Sequence, residues 1–117
     1  FLTTQMFFDN NVYYNFLYRV LAVGTKVPVI PGIMPVINAK QVKRSAELSG
    51  AMMPPRFLAI ADKFSDDLLA IEQAGIAYAT DQIIDLVANG VKHIHLYTMN
   101  RPRTAAKILE NLSHILR

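Results

Sequence analysis

Leu2-Thr3-Thr4-Gln5-Met6-Phe7-Phe8 is β-branched, aromatic and apolar, a composition that suits a buried strand. Asp9-Asn10-Asn11 follows it with residues that cap helices. From Val12 to Val23 the residues Tyr13, Phe16, Leu17, Val20 and Leu21 then recur at one-face helical spacing, and Gly24 is placed to stop that helix. Working outward, Val27-Pro28-Val29-Ile30 predicts a short strand that ends at Pro31, because each proline lacks a ladder donor. Met34 to Ile37 reads as an irregular loop. Asn38 and Gln41 form a capping-box variant that opens a helix running to about Leu48. Gly50 and Pro54-Pro55 mark Ser49 to Pro55 as a loop, and Arg56 to Lys63 suits a short helix. Ser65-Asp66-Asp67 starts a long helix whose face is predicted from Leu69, Glu72, Ile76, Thr80, Ile83 and Val87. Gly75 weakens its middle, and Asn89-Gly90 ends it. His93 to Tyr97 alternates as a third strand. Pro102 fits the first position of a last helix carrying Ala105, Ile108, Leu109, Leu112, Ile115 and Leu116.

Strands alternating with helices imply parallel βα units and an α/β class. Three such units make a small open sheet or part of a (β/α)8 barrel, which typically needs about 250 residues, and composition does not separate the two. The chain has 117 residues, 52% of them apolar and 18% charged, with a formal net charge of +3. That is too apolar for a disordered chain. With no Cys, a disulfide scaffold, a thiolate zinc site and a cysteine nucleophile are excluded. The basic residues are spread from Arg19 to Arg117, and the closest group, Lys40, Lys43 and Arg44, reads as a solvated helix face rather than a nucleic-acid footprint. No run approaches the ~18 consecutive apolar residues of a membrane span. Phe1 opens the chain without a basic leader, so it reads as a piece of something longer. His93 and His95 share a strand face without a carboxylate cluster beside them, which predicts no metal site.

Four motifs then resemble one family, the methylenetetrahydrofolate reductases, in its order and spacing. They are Thr4-Gln5-Met6-Phe7-Phe8-Asp9, Ile30-Pro31-Gly32-Ile33-Met34-Pro35-Val36, Gly75-Ile76-Ala77-Tyr78-Ala79 with Gln82, and Gly90-Val91 through His95-Leu96-Tyr97-Thr98-Met99-Asn100-Arg101. The resemblance implies a partial TIM barrel in which residues 1–117 are the last three βα units, strands six to eight, with the upstream units absent. It implies reduction of 5,10-methylenetetrahydrofolate to 5-methyltetrahydrofolate with FAD as cofactor and NADH or NADPH as reductant, in a cytoplasmic homo-oligomer that engages neither nucleic acid nor membrane. The family's general acid and most of its flavin contacts lie upstream, so no catalytic residue is expected in this segment, and the segment alone is expected to be inactive. A non-catalytic barrel fragment or folate-binding module docking on a partner is the competing expectation.

Gln5 is the sharpest candidate. Its amide offers two donors and an acceptor, which fits the mixed edge of a pterin or a carboxamide, and burying it in an apolar strand without partners is costly. The resemblance makes it a contact for both folate and nicotinamide. Gln41 is explained locally as a helix-capping residue and by resemblance as a substrate contact. Arg101 follows a strand end, and the resemblance implies a cation near the folate tail, where a guanidinium fork suits a carboxylate. Tyr97 and Met99 lie beside it and are expected to line the site. Asp9 is read as a helix cap rather than a general base. One position departs from the family: Ser45 stands where an aromatic residue stacks on the ligand.

Overall fold

The computed structural model describes residues 1–24, 26–38, 40–41, 54–98 and 101–116. Among these, three strands and four helices follow one another as β1 (Leu2–Met6), α1 (Asn10–Ala22), β2 (Val29–Ile33), α2 (Pro55–Lys63), α3 (Leu68–Ala88), β3 (His95–Leu96) and α4 (Pro102–Asn111). The strands form one parallel sheet in the order β1-β2-β3. Parallel pairing with helical crossovers is the α/β class that the alternation predicts.

The helix ends follow from their chemistry. Asp9 caps α1 by accepting the Asn11 N–H, and Asp67 caps α3 by accepting the Leu69 and Ala70 N–H groups. Asp9 is thus observed as the cap that its position implies. Gly24 and Gly90 follow the C-terminal ends of α1 and α3 with φ of 81° and 90°, a left-handed backbone that costs a residue with a Cβ about 1–2 kcal/mol.

Two apolar clusters hold the layers together. The larger joins Val29 and Ile33 of β2 to Phe7, to Tyr13 of α1, to Ile76, Ala79, Ile83 and Leu86 of α3, and to Ile108 and Leu112 at α4. The smaller lies at the C-terminal end of the sheet, where Phe8, Met34, Val36 and Phe57 pack with Met6, Tyr78 and Tyr97. Phe8 and Phe57 stack with centroids 4.6 Å apart, and Tyr78 meets Phe57 edge-on at 5.0 Å. The central helix α3 touches α1, α2, α4 and β2. That wide burial corrects the predicted face. Ile71, Gly75, Ala79, Gln82 and Leu86 are buried beside Ile76, Thr80 and Ile83, whereas Leu69 is 77% exposed at the N-terminal end, beyond the sheet.

Gly75 is a packing residue rather than a weak point. A Cβ there would lie 1.5 Å from the Val36 carbonyl oxygen, so only glycine lets α3 lie against the loop after β2.

The strand bounds also differ from expectation. β1 stops at Met6, and the Phe7 and Phe8 carbonyls bond to side chains of α3 instead of a neighbouring strand, with Phe7 packed on Tyr13 and Phe8 on Phe57. β3 is confined to His95–Leu96, paired with Gly32 and Ile33. α4 ends at Asn111, leaving Ile115 and Leu116 exposed beyond it. β2 starts at Val29 and runs through Pro31 to Ile33, not from Val27 to Ile30. The pairing explains how a proline is tolerated. Thr3 pairs with Ile30 and Met6 with Gly32, so β1 advances three residues while β2 advances two. The ladder is interrupted opposite Pro31, where a missing N–H is cheap. The helix expected from Asn38 begins with Lys40 and Gln41, and its continuation to Leu48 lies outside the described residues, as do positions 49–53 of the expected loop.

Candidate functional site

Because the strands are parallel, their C-terminal ends share one rim of the sheet. Gln5 stands near the end of β1, Gln41 lies beyond β2, Tyr97 directly follows β3, and Arg101 precedes α4. The sites of α/β folds are built on this rim, from loops after strands.

Gln5 sits inside the irregularity of β1, with one more residue here than β2 opposes. Such a bulge re-aims a side chain out of the ladder. Gln5 is exposed, which corrects the premise that burial makes its amide costly. It opens onto a cavity of about 400 Å³ whose walls include Met6, Phe7, Phe8, Val12 and Phe16. Among the described residues its side-chain amide makes no hydrogen bond, whereas its backbone is well held. The Thr4 hydroxyl donates to the Gln5 carbonyl (2.9 Å) and accepts the Gly32 N–H (2.9 Å), supplying the partner that the broken ladder withholds.

Tyr97 spans β2. Its hydroxyl donates to the Thr4 carbonyl (3.1 Å), and its ring meets His95 edge-on at 4.3 Å. The ring passes over Gly32, where a Cβ would lie 2.6 Å from both Tyr97 Cε2 and the Thr4 carbonyl oxygen. Half-buried Tyr97 therefore ties β3 to β1, a role that alternation alone does not predict. Met99, the other expected wall residue, and Ser45, the departure from the family, lie outside the described residues.

Gln41 caps its helix as predicted, with a small difference of partner. Its N–H donates to Asn38 Oδ1 (2.9 Å), while its own Oε1 accepts the Ile37 N–H (2.7 Å) rather than that of Asn38. One lone pair of that oxygen is thus used within the loop, while the two amide N–H groups stay available as donors. Arg101 is exposed and occupies the N-cap of α4 without a side-chain cap bond. Among the described residues its guanidinium joins no ion pair; the pair seen is Arg56–Asp81 at 3.7 Å. An arginine is poorly suited to an N-cap, because it accepts no hydrogen bond and brings a cation to the positive end of the helix dipole.

Sequence reasoning missed the polar network behind this rim. The Gln82 Nε2 donates to the Phe7 carbonyl (3.1 Å) and to Asn10 Oδ1 (3.2 Å), and Tyr78 donates to the Phe8 carbonyl. Asn10 in turn donates to the Gln82 carbonyl (3.0 Å) and Asp85 Oδ2 (2.8 Å), which also receives the Tyr14 hydroxyl (2.7 Å). Gln82 is 5% exposed, and its Oε1 is buried without a partner. An orphan of this kind costs about 1–3 kcal/mol. The signal that could have found the network is polar residues on a buried helix face, Tyr78 and Gln82 one turn apart. Burial raises the Tyr78 hydroxyl above its ordinary pKa, keeping it a donor. Among the described residues no cluster of His, Asp and Glu could hold a metal ion, and no helix is long and apolar enough to cross a membrane.

Comparison with known proteins gives the chain a family. The family model described as methylenetetrahydrofolate reductase matches residues 1–113. The protein named methylenetetrahydrofolate reductase (NADH) 1 in Zea mays is 33% identical over 114 residues, 97% of this chain and 19% of that protein. The 5,10-methylenetetrahydrofolate reductase of Escherichia coli is 36% identical over 109 residues, 93% of this chain and 37% of its own length. Methylenetetrahydrofolate reductase 2 of Saccharomyces cerevisiae is 34% identical over 114 residues, again 97% of this chain and 19% of the relative. The chain thus spans between 19% and 37% of these relatives. A match over nearly its whole length establishes that the chain belongs to the methylenetetrahydrofolate reductase family.

Proposed function

We propose that residues 1–117 are the C-terminal portion of a (β/α)8-barrel reductase that converts 5,10-methylenetetrahydrofolate to 5-methyltetrahydrofolate with FAD and NADH or NADPH, in a cytoplasmic homo-oligomer. The observation that carries this reading is the gathering of Gln5, Gln41, Tyr97 and Arg101 on the C-terminal rim of a parallel sheet. The open edges support the barrel. The cavity beside Gln5 runs along the unpaired side of β1 and against α1, and a second of about 350 Å³ lies between β3, α3 and α4. Both are apolar sites where neighbouring βα units would pack.

The residues present fit a planar heterocycle at Gln5, since its exposed amide makes no hydrogen bond among the described residues and stands on the C-terminal rim of the sheet. A bound flavin supplies a two-electron carrier between the nicotinamide and the methylene carbon of the folate. Gln5 orients whichever ring is present, because donors and acceptor on one amide match the carboxamide of nicotinamide and the edge of a pterin alike. Arg101 binds the carboxylate tail that only folate carries. The chemical step then needs an acid from outside this segment, so the segment binds and orients while other barrel units complete the reaction.

The test is Gln5→Ala in the complete enzyme, assayed in both half-reactions. Loss of the contact is expected to slow each by about five- to 150-fold, the equivalent of 1–3 kcal/mol. Wild-type rates in both would sink the assignment. Arg101→Ala in the same assays raises the folate KM more than the nicotinamide KM, and equal changes would make Arg101 structural. A colourless complete protein would favour a non-catalytic folate-binding barrel.

A further inference from the structure

Two side chains of α3, one helical turn apart, reach the backbone immediately after Gln5. Tyr78 donates to the Phe8 carbonyl and Gln82 to the Phe7 carbonyl. On the other side of Gln5, Thr4 is fixed by the Gly32 N–H and by the Tyr97 hydroxyl. Gln5 therefore lies in a bulge held at both ends, with its own side chain outside the ladder. A bulge relaxes easily, because its extra residue is unpaired, so its shape depends on these anchors.

The buried, unpartnered Oε1 of Gln82 adds an independent argument. A methionine or leucine at position 82 would remove that orphaned acceptor but would leave the Phe7 carbonyl and Asn10 Oδ1 without this donor, so glutamine is retained at the cost of one unpaired oxygen. What the amide provides is a simultaneous hold on the Phe7 carbonyl and on Asn10, joining the end of β1 and the start of α1 to α3.

We propose that Tyr78 and Gln82 are positioning residues that set the bulge at Gln5 and so the placement of its amide toward the ligand. This rests on the reading of Gln5 as a ligand contact. Neither residue touches the ligand; each acts through the Phe7–Phe8 backbone.

The test is a double-mutant cycle in the complete enzyme, using 5,10-methylenetetrahydrofolate as the varied substrate. Tyr78→Phe keeps the ring against Phe57 and removes only the hydroxyl, which protects the fold if Gln82→Met proves damaging. Each single variant is expected to lower kcat/KM by about five- to tenfold. In a Gln5→Ala background the same changes are expected to have less than about a twofold further effect, since the group they position is gone. A full repeat of the loss in that background, or a change in Tm with unaltered kinetics, would make both residues merely structural and overturn the inference. An impaired Gln5→Ala with kinetically silent Tyr78→Phe and Gln82→Met would overturn it while leaving the ligand-contact reading intact. A silent Gln5→Ala would remove both together.

Discussion

The two rims of the sheet are built differently. At the C-terminal rim, Phe7, Phe8 and the whole of Met34 to Ile37 are buried. Their backbone groups find side-chain partners in Tyr78, Gln82 and Gln41. At the N-terminal rim the connections are open: Val23 is 79% exposed, and Gly24, Lys26, Pro28, Gly90, Lys92 and His93 face water. A buried loop must satisfy its polar groups within the protein, whereas a solvated loop leaves them to water. Precision is therefore concentrated on the rim that carries the candidate site. The difference teaches that burial of loops, unusual in itself, marks where the molecule holds a shape.

Substitutions at three glycines separate the rims. The largest effect is expected at Gly75→Ala, which places a methyl against the Val36 carbonyl. The gain of about 1 kcal/mol in helix propensity is outweighed, and a net loss near 3 kcal/mol is expected from displacing α3 off the buried loop. A denaturant midpoint equal to wild type in the complete protein would break the claim that this rim is tightly determined. Gly32→Ala follows, with a loss of about 2 kcal/mol, because its Cβ meets backbone at Thr4 and the ring of Tyr97. It should also weaken folate binding by disturbing the Tyr97–Thr4 tie. Gly24→Ala on the opposite rim meets nothing within 4 Å, so its cost is the backbone strain alone, about 1 kcal/mol, with ligand binding unchanged. A reversed order of Gly32 and Gly24 would show that the rims do not differ as described.

The same contrast separates what the sequence discloses from what it hides. Asp9, Asp67, Pro102, Gly24 and Gly90 act within a few residues of themselves, and their roles are legible because caps and stops are local. The order of strands and helices follows for the same reason. Pro31 misleads, because its tolerance depends on a bulge in another strand. Gly75 reads as a helix weakness until Val36, far away in sequence, is brought against it. The Gln82–Phe7 bond joins residues 75 apart, and no periodicity announces it. Motif resemblance singles out Gln5 and Arg101, and the parallel sheet puts both on its C-terminal rim. The exposure of Gln5 and the second role of Tyr97 depend on tertiary pairing.

The smallest effect is expected where the C-terminal network reaches the surface. Asp85 lies on α3 one turn beyond the buried Gln82 and is exposed. The Asn10 amide and then the Tyr14 hydroxyl donate to its carboxylate and hold its pKa below the ordinary value. A depressed carboxylate stabilises the fold above its unfolded pKa, and that contribution disappears as pH falls through the folded value. Tyr14 behaves oppositely. Burial, and next the Asp85 carboxylate, push its hydroxyl up to about 12, so its share is present below about pH 10 and is lost as pH rises toward 12. Solvent screens the pair, which limits Asp85→Asn to a loss of about 0.2–1 kcal/mol at neutral pH. Urea titrations of both proteins should show that gap constant through neutral pH and closing in acid, once the native carboxylate is protonated. A gap that widens in acid, or one as large as that of Gly32→Ala, would mean that the exposed outer part of the network is as tightly coupled to the fold as the buried rim, and the contrast between solvated and buried polar contacts would fail.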